Sequence, residues 1–478
     1  MELQDKTLAQ CFREAAERWA DRPAAVDAFR HYTYRELERR SNELSVSLSV
    51  LGYGKGDRIG VFCGNHADTL ALYYAVWLLG AVLVPLNIHF TERELQQCAE
   101  TAELSLVISE KPVMTGVRNV LLREMTLSEG YSSCAVPEIL PGDPDAILFT
   151  SGTLAVPKPV MSTHYARVNI ALEQAEALAL TEEDRVLSVL PMFHCFGLTA
   201  TVLPAMMRGA CLYFPADNHS YTLLDMIETY RCTVFTAVPA LYLAVMNRQI
   251  HEPRDISSLR AGYVGGSTYS ESFLVEAERC LGMIILPSLG QTEATAGITT
   301  ASLDDPFSVR ARTIGHLFPH LESRIVDGEL HIRGYSVMQG YYGMPQETAE
   351  VIDPDGWLHT GDLVRREGRN LIYEGRKREL IIRGGENISP LELETILLGD
   401  SRIRECKVIG LPDEHYGETV CACIVPTGNL TEEDVREVLS GRIAGYKMPQ
   451  KIQLFPELPK LSTGKPDLRK LREIISSQ

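Results

Sequence analysis

The apolar stretch TLALYYAVWLLGAVLVPL, residues 69–86, decides how the rest of the chain is interpreted. Its length is close to the roughly 20 residues that a membrane-spanning helix needs. Gly80, however, divides it into a helix-like first part and a short strand-like second part, AVLVPL, and neither part is long enough to cross a bilayer. The stretch therefore predicts a buried helix followed by a buried strand in a soluble protein.

Short apolar runs and helix-like segments alternate along much of the chain. The run RIGVFCGN (residues 58–65) precedes the opening stretch, and similar segments follow it: RVLSVLPMF (185–193), TLLDMIETYR (222–231), CTVFTAVP (232–239), SESFLVEAERCLG (270–282) and MIILPSLG (283–290). This alternation is typical of parallel β-sheets covered by helices, in which ligands bind at the carboxyl ends of the strands. We therefore expect an α/β fold whose strand ends share one crevice.

The pattern changes after about residue 310. The segment LESRIVDGELHIRG (321–334) predicts a β-hairpin with Asp327 and Gly328 at its turn. The charged run GRKRE (375–379) is typical of an exposed connector, and a smaller α/β unit with a basic end, KLSTGKPDLRKLRE (460–473), follows it. A domain boundary is therefore expected between Arg376 and Glu379.

Composition bounds the possible functions of the chain. The formal net charge of −17 over 478 residues disfavours binding to nucleic acid or to an anionic membrane. The eleven cysteines include no CxxC pair, which favours buried free thiols in a reducing compartment; Cys421 and Cys423 would share one face of a strand. The N-terminal residues 1–19 indicate an amphipathic helix without the features of a signal peptide. We therefore expect a cytoplasmic protein.

The segment LFTSGTLAVPKPVMSTH (148–164) resembles a phosphate-binding loop. Backbone and hydroxyl donors could converge at Thr150, Ser151, Gly152 and Thr153, and Lys158 could reach a charged oxygen. The loop contains a single glycine, although bare backbone is what usually lets N–H groups close on an anion. Taken alone, such a segment is more often an ordinary surface loop than a nucleotide site.

Seven motifs in a fixed order change that interpretation. They are FTSGT…PK (149–158), PMFHCFG (191–197), GGS (265–267), LGQTE (289–293), WLHTGD (357–362), GRKRELIIRGGENISPLELE (375–394) and STGKPDLRK (462–470). Together they resemble the adenylate-forming superfamily, in its branch of acyl-CoA synthetases and other AMP-dependent carboxylate–thiol ligases. The resemblance covers essentially the whole chain.

The resemblance implies an architecture and a reaction. It implies a large N-terminal adenylation domain of helix-flanked parallel sheets with a β-subdomain (residues 1–377), and a small mobile α/β C-terminal domain (residues 378–478). A carboxylate attacks the α-phosphate of ATP, with Mg²⁺ present, to give an acyl-adenylate and pyrophosphate. A thiol, from coenzyme A or from the phosphopantetheine of a carrier protein, then displaces AMP to give a thioester.

The resemblance also assigns residues to ATP. Thr292 would donate to the α-phosphate, Glu293 would be the Mg²⁺ ligand, and Asp362 could accept both ribose hydroxyls. Lys465 would stabilise charge in the first transition state. The complete expected set is Thr150, Ser151, Gly152, Thr153, Lys158, Gly266, Ser267, Leu289, Gly290, Gln291, Thr292, Glu293, Asp362, Arg376 and Lys465.

The segment GGENISPLELE (384–394) has a readable local structure. Ser389 fits a helix N-cap, Pro390 the first helical position, and Glu392 would complete a capping box. Gly384 and Gly385 then form a bare loop, which in thioester-forming relatives contacts pantetheine after the small domain rotates about a hinge, here Arg378. A purely structural strand-to-helix turn is the alternative.

The expected acyl pocket carries no acidic residue. Amino-acid-activating relatives have an aspartate shortly after the second motif, whereas this chain has PMFHCFGLTATVLP (191–204), so a buried ammonium would lack a partner. His194 resembles the gate of acyl- and aryl-CoA ligases and is also counted among the expected catalytic residues, with Lys465, Glu293 and Thr292. The expected acyl contacts are His194, Val238, Gly265, Gly266 and Gly290. A hydrophobic acid, fatty or aryl, is therefore expected.

Three departures from the family pattern concern the nucleotide site and the hinge. Leu154, Ala155 and Pro159 replace a threonine and two glycines of the phosphate loop. Leu289 stands where an aromatic residue commonly stacks on adenine, and Arg378 where the hinge is often aspartate or lysine. Because the charged and hydroxyl residues of the other motifs remain, we expect a modified but working site with a weaker grip on pyrophosphate.

Several alternatives stay open from the sequence. Transfer to CoA and loading of a carrier protein share the same Gly384–Gly385 loop. A catalytically weakened acyl- or nucleotide-binding homologue would explain the altered phosphate loop. Monooxygenation, as in luciferases, has no support beyond the fold, and the chain is expected to be a monomer or a homodimer.

Overall fold

The computed structural model describes residues 2–125, 137–150, 157–266, 269–383, 386–413, 416–443, 445–461 and 464–476. In chain order, the strands are β1 (Pro23–Val26), β2 (His31–Thr33), β3 (Arg58–Phe62), β4 (Val82–Pro85), β5 (Leu106–Ser109), β6 (Asn119–Leu121), β7 (Pro144–Phe149), β8 (Pro159–Thr163), β9 (Arg185–Leu187), β10 (Cys211–Tyr213), β11 (Val234–Phe235), β12 (Ala261–Val264), β13 (Ile284–Leu289), β14 (Thr299–Thr300), β15 (His316–Leu317), β16 (Leu321–Val326), β17 (Glu329–Gly334), β18 (Gly340–Tyr341), β19 (Leu358–Glu367), β20 (Asn370–Arg376), β21 (Ile381–Arg383), β22 (Glu386–Ile388), β23 (Ile403–Asp413), β24 (Gly417–Pro426) and β25 (Lys451–Leu454). The helices are α1 (Leu8–Arg18), α2 (Tyr34–Val50), α3 (Ala67–Leu78), α4 (Glu92–Thr101), α5 (His164–Ala177), α6 (Cys195–Gly197), α7 (Leu203–Met207), α8 (Ser220–Tyr230), α9 (Pro239–His251), α10 (Glu271–Leu281), α11 (Phe307–Arg312), α12 (Pro345–Val351), α13 (Pro390–Leu398), α14 (Glu432–Leu439) and α15 (Leu468–Ser476).

Two largely parallel sheets form the large N-terminal domain. Within the described ranges, one sheet has the order β15-β14-β13-β12-β11-β9-β10-β1-β2 and the other β18-β8-β7-β4-β3-β5-β6. The central pairs of both sheets are parallel, for example β12 with β13 and β3 with β4. The expected α/β class with parallel sheets is therefore confirmed.

The opening stretch folds as its pattern predicts. Helix α3 is almost wholly buried, and Trp77 within it is fully buried with its indole N–H donating to the Asp145 carbonyl at 3.0 Å. Gly80 ends the helix with a φ of +72°, a conformation that favours glycine, and the buried strand β4 follows. No helix among the described residues is long and apolar enough to cross a membrane.

A smaller antiparallel sheet, with the order β16-β17-β19-β20, follows the two large sheets. Its first hairpin turns at Asp327 and Gly328, whose φ values of +50° and +79° are those of a type I′ turn, and Val326 pairs with Glu329. The predicted hairpin is confirmed. The sheet places Asp362 and Arg376 side by side as a cross-strand pair.

The small C-terminal domain contains a sheet of order β22-β21-β24-β23, with β25 paired to β24. Cys421 and Cys423 lie on β24, are fully buried, and belong to the same apolar cluster, so the prediction that they share a face is confirmed. The family resemblance placed the boundary between residues 377 and 378, and that boundary stays a prediction, as does the mobility of the domain.

The predicted capping box at α13 is wrong in one respect. Ser389 is the N-cap and Pro390 occupies the first turn, as expected. The Ser389 hydroxyl, however, donates to the Glu374 carbonyl at 2.8 Å, and the Glu392 carboxylate pairs with Lys447 at 2.6 Å. The tertiary partners outcompete the local cap because each offers a hydrogen bond to a group distant in sequence.

Candidate active site

The ends of β7, β9, β12 and β13 lead into the expected ligand-binding segments. Thr150 follows β7, Gly265 and Gly266 follow β12, and the LGQTE segment begins at the last residue of β13. A Cβ atom on Gly290 would lie 1.9 Å from the Ala296 carbonyl oxygen, so only glycine fits at this position. The compact turn places Gln291, Thr292 and Glu293 at the carboxyl end of the sheet, where ligands bind in such folds.

Thr292 contacts the second motif through a cysteine that the sequence did not single out. Its hydroxyl donates to the Cys195 sulfur at 3.7 Å, across 97 residues of sequence. Burial raises the pKa of the Cys195 thiol, whereas Thr292 and Lys465 act in the opposite direction. The thiol is thus protonated near neutral pH, so it can donate back to Thr292 when that hydroxyl turns to a ligand.

His194 is held as a neutral imidazole. Its Nδ1 accepts the backbone N–H of Phe196 at 3.2 Å, which leaves the ring proton on Nε2. Burial of the ring is the main cause that lowers the pKa of His194 to about 4, and the positive charge of Lys465 acts in the same direction. A side chain of this kind can shape a pocket and donate one hydrogen bond without adding charge.

Lys465 comes from the C-terminal domain and lies in the crevice of the N-terminal domain. Its charge lowers the pKa values of both His194 and Cys195. Burial and Arg376 lower the pKa of Lys465 itself, and Cys195 and Asp362 oppose them. The structure therefore brings the last motif of the sequence against the second, fifth and sixth motifs.

Asp362 and Arg376 form an ion pair at the edge of this crevice. The Arg376 Nε donates to the Asp362 Oδ1 at 2.9 Å, and burial raises the pKa of the carboxyl group. Oδ2 of Asp362 is buried and has no hydrogen-bond partner among the described residues, and the same holds for Nε2 of Gln291. Buried polar atoms normally have partners, so both fit a bound polar ligand such as a ribose hydroxyl.

Glu329 supports the turn that carries Asp362, and none of the sequence motifs points to it. One oxygen of its buried carboxylate accepts the Gly361 N–H at 3.0 Å, and the other accepts Lys377 Nζ at 2.8 Å. Lys377 directly follows Arg376. One carboxylate thus fixes both chain segments that hold the Asp362–Arg376 pair.

Glu293, Tyr341 and Lys158 form a second polar group in the crevice. Tyr341 donates its hydroxyl to the Glu293 Oε1 at 2.9 Å, and the Lys158 ammonium lies 4.6 Å from the centre of the Tyr341 ring. No cluster of three or more His, Cys, Asp or Glu side chains suited to a metal occurs among the described residues. A Mg²⁺ ion at Glu293 would therefore take its other ligands from phosphate oxygens and water, which is how proteins usually hold this ion.

The base of the phosphate loop is closed by its own backbone. The Thr150 N–H donates to the Lys158 carbonyl at 3.0 Å, and the Lys158 N–H donates to the Thr150 hydroxyl at 3.1 Å. These bonds fix the two ends of the loop.

Other predicted positions lie outside the described residues, namely Ser151, Gly152, Thr153, Leu154, Ala155, Ser267, Gly384 and Gly385.

The expected acyl pocket has apolar walls where the structure describes it. A Cβ atom on Gly265 would lie 3.5 Å from the Phe196 ring, and one on Gly266 would lie 3.4 Å from a Val238 methyl group. Leu289 packs against the apolar cluster of the small antiparallel sheet. Arg378 lies in the 3₁₀ turn Lys377–Glu379 between the domains, and its side chain is outside the described part.

Comparisons with known proteins identify the family. The model of the AMP-binding enzyme family matches residues 12–342, and that of the AMP-binding enzyme C-terminal domain matches residues 392–465. The chain belongs to the AMP-binding enzyme family. Its adenylate-forming relatives include the acyl-CoA ligase sidI of Beauveria bassiana, 31% identical over 87% of this chain and 82% of that one. The medium-chain acyl-CoA ligase ACSF2 of Macaca fascicularis is 28% identical over 98% of this chain and 87% of that protein. The enzyme class is thus carboxylate–CoA ligase.

Solved structures of a relative superpose on nearly the whole chain. ATP-bound MatB from Rhodopseudomonas palustris is 25% identical, covers 98% of both chains, and superposes with a TM-score of 0.89. The apo structure of the same protein gives a TM-score of 0.78. This AMP-binding enzyme therefore superposes better on ATP-bound MatB than on apo MatB.

The neutral state of His194 predicts a pH effect on stability. Between pH 6.5 and about pH 4 the unfolded chain binds a proton at this residue that the folded chain excludes, so stability falls as pH falls through this window. At pH 5 the expected loss from this residue is about 2 kcal/mol. We expect His194→Asn to lose less stability than the wild type between pH 7 and pH 5 in thermal unfolding. Equal losses in the two proteins would contradict the assignment.

Proposed function

We propose that the protein activates a hydrophobic carboxylic acid with ATP and transfers the acyl group to CoA. ATP-dependent ligation of an acid to CoA is the activity for which the relatives are named. The choice of a hydrophobic acid rests on one observation: Phe196 and Val238 face Gly265 and Gly266 at the end of β12, beside the His194–Cys195 segment that Lys465 and Thr292 approach.

Each described side chain at the nucleotide end of the crevice has a role in binding ATP. Asp362 binds the ribose through its unpartnered Oδ2, and Arg376 orients that carboxylate. Thr292 donates to the α-phosphate, and Lys158 offers a positive charge to the β- and γ-phosphates together with Thr150 and residues 151–153. Glu293 would hold Mg²⁺, which would neutralise charge on the triphosphate when bound.

Two displacements complete the reaction. A carboxylate oxygen attacks the α-phosphorus, the bond to pyrophosphate breaks, and Lys465 stabilises the negative charge on the carboxylate and α-phosphate. The CoA thiolate then attacks the acyl carbonyl carbon, and AMP leaves with the electron pair of the broken C–O bond. The second step follows rotation of residues 378–478 about Arg378, which brings the Gly384–Gly385 loop to the thiol channel.

The electrostatics of the pocket support a fatty or aryl acid. An amino-acid substrate would bury an ammonium group, and residues 191–204 contain no carboxylate to pair with it. His194 is neutral, so the gate adds no charge of either sign. One relative is named as a medium-chain acyl-CoA ligase, which agrees with an apolar substrate.

CoA is preferred over a carrier protein as acceptor because the relatives are named as CoA ligases. The thiols support a cytoplasmic location: the ten cysteines in the described part of the chain are free, and most of them are buried. A catalytically weakened homologue remains the alternative for the altered phosphate loop.

The second prediction concerns the substrate. We expect ATP–pyrophosphate exchange with a hydrophobic acid from a panel of fatty acids, benzoates, cinnamates and amino acids. Glu293→Ala should reduce the exchange by at least about 100-fold because a metal ligand is lost, whereas Glu276→Ala, an exposed glutamate on α10, should not. Exchange supported by amino acids, or none across the panel in a protein that binds ATP, would contradict the proposal; the second result would favour the weakened homologue.

The third prediction concerns the phosphate loop. Replacing Leu154 by Thr and Ala155 by Gly should lower the KM for ATP by about three- to tenfold, because a hydroxyl and a backbone N–H regain access to the leaving pyrophosphate. The kcat for adenylation should change much less, since the loop does not contact the reacting phosphorus. Unchanged ATP kinetics in the double variant would contradict the weak-grip interpretation.

A further inference from the structure

We propose that Tyr341 is a positioning residue that orients Glu293 toward Mg²⁺ and Lys158 toward the phosphates. The inference rests on the proposed roles of Glu293 and Lys158 in ATP binding. It assigns a function to a residue of the segment GYYGMP (340–345) that lies outside the motifs of the sequence analysis.

One aromatic side chain contacts both charged groups. The Tyr341 hydroxyl donates to Oε1 of Glu293 at 2.9 Å, and the ring face receives the Lys158 ammonium at 4.6 Å. A cation over an aromatic face and a carboxylate on a phenol are both attractive contacts. Within the described part of the chain, no ion pair joins Lys158 to Glu293 directly, so the ring holds the two opposite charges apart.

Backbone contacts fix the ring in place. Strand β18 pairs with β8, so that Gly340 is opposite Met161 and Tyr341 is opposite Val160. The Tyr341 N–H donates to the Thr348 hydroxyl at 2.9 Å, and its side chain is only 7% exposed. A ring packed in this way has few alternative rotamers, so it can hold its partners in a defined direction.

The same strand pair connects Tyr341 to the phosphate loop. Lys158 directly precedes β8, and the Tyr342 N–H donates to the Pro159 carbonyl at 2.8 Å. On the other side, the Met338 N–H donates to the Glu293 carbonyl at 2.9 Å. The segment 338–342 is therefore bonded both to the end of the phosphate loop and to the LGQTE segment.

The consequence for Mg²⁺ follows from the geometry of a carboxylate. With Oε1 engaged by Tyr341, the other oxygen of Glu293 would be the one left for the ion, and the hydrogen bond restricts rotation of the carboxylate. Outer-shell partners of this kind typically affect metal affinity by about 10- to 100-fold. Orientation of Glu293 by Tyr341 matters more in this chain because Leu154 and Ala155 stand where the family pattern has a threonine and a glycine.

Tyr341→Phe tests the inference, with Tyr342→Phe as the matched control. The neighbouring Tyr342 also donates to a carboxylate, Oε2 of Glu103 at 2.7 Å, but on the exposed surface. Binding of ATP to each purified protein is measured by calorimetry with Mg²⁺ and with a chelator, and the melting temperature is measured without ligand.

We expect Tyr341→Phe to weaken ATP binding in Mg²⁺ by about tenfold and to leave metal-free binding within about twofold. Tyr342→Phe should match the wild type in both conditions. In a Glu293→Ala background, Tyr341→Phe should not further change the Mg²⁺-dependent part of the ATP affinity. Tyr341 acts on the ion through Glu293, so its effect disappears when that carboxylate is removed.

Two results would overturn the inference. An unchanged Mg²⁺ contribution in Tyr341→Phe, with Glu293→Ala abolishing it, would remove the role of Tyr341 and leave the proposed function intact. Equal weakening with and without Mg²⁺, together with a lower melting temperature, would assign Tyr341 a purely structural role. If Glu293→Ala itself left the Mg²⁺ contribution unchanged, the metal role in the proposed function would fail, and this inference with it.

Discussion

The partial burial of Lys465 beside Arg376 and Asp362 is the interaction on which the site depends. Burial and the nearby Arg376 both disfavour its charged form. Asp362 offsets this only in part, because its one negative charge is shared with Arg376, to which it is bonded. A desolvated cation with an incomplete counter-charge is stabilised by a bound anion. This charge would favour the nucleotide phosphate of the proposed function, and the chain superposes better on an ATP-bound relative than on the apo form of that relative.

Other features of the site follow from this charge. The cation beside His194 helps to keep the imidazole neutral, so the acyl end of the crevice stays uncharged. At the other end, Tyr341 keeps the Lys158 and Glu293 charges apart. The crevice therefore runs from an apolar pocket, through the position of Lys465, to a polar end suited to a triphosphate. Under the proposed function, this gradient would let one site hold a hydrophobic acid and a highly charged nucleotide together.

Sequence patterns predicted the local structure where neighbours along the chain determine it. The helix and strand on either side of Gly80 and the Asp327–Gly328 hairpin depend on local conformation, and both were predicted correctly. The contacts of Cys195 with Thr292 and of Tyr341 with Glu293 join residues 97 and 48 positions apart, so no local pattern indicates them. The predicted capping box is wrong for the same reason, because the Glu392 carboxylate binds Lys447, which lies 55 positions away in the sequence.

The most direct test of the account separates the two half-reactions in Lys465→Ala, with the exposed Lys470→Ala as control. Single-turnover assays would follow acyl-adenylate formation from acid and ATP, and thioester formation from a supplied acyl-adenylate and CoA. The account predicts that Lys465→Ala slows the first reaction by at least about 100-fold, because a transition-state charge partner is lost. The second reaction should remain near the wild-type rate. Normal acyl-adenylate formation in Lys465→Ala would contradict the central role given to this charge.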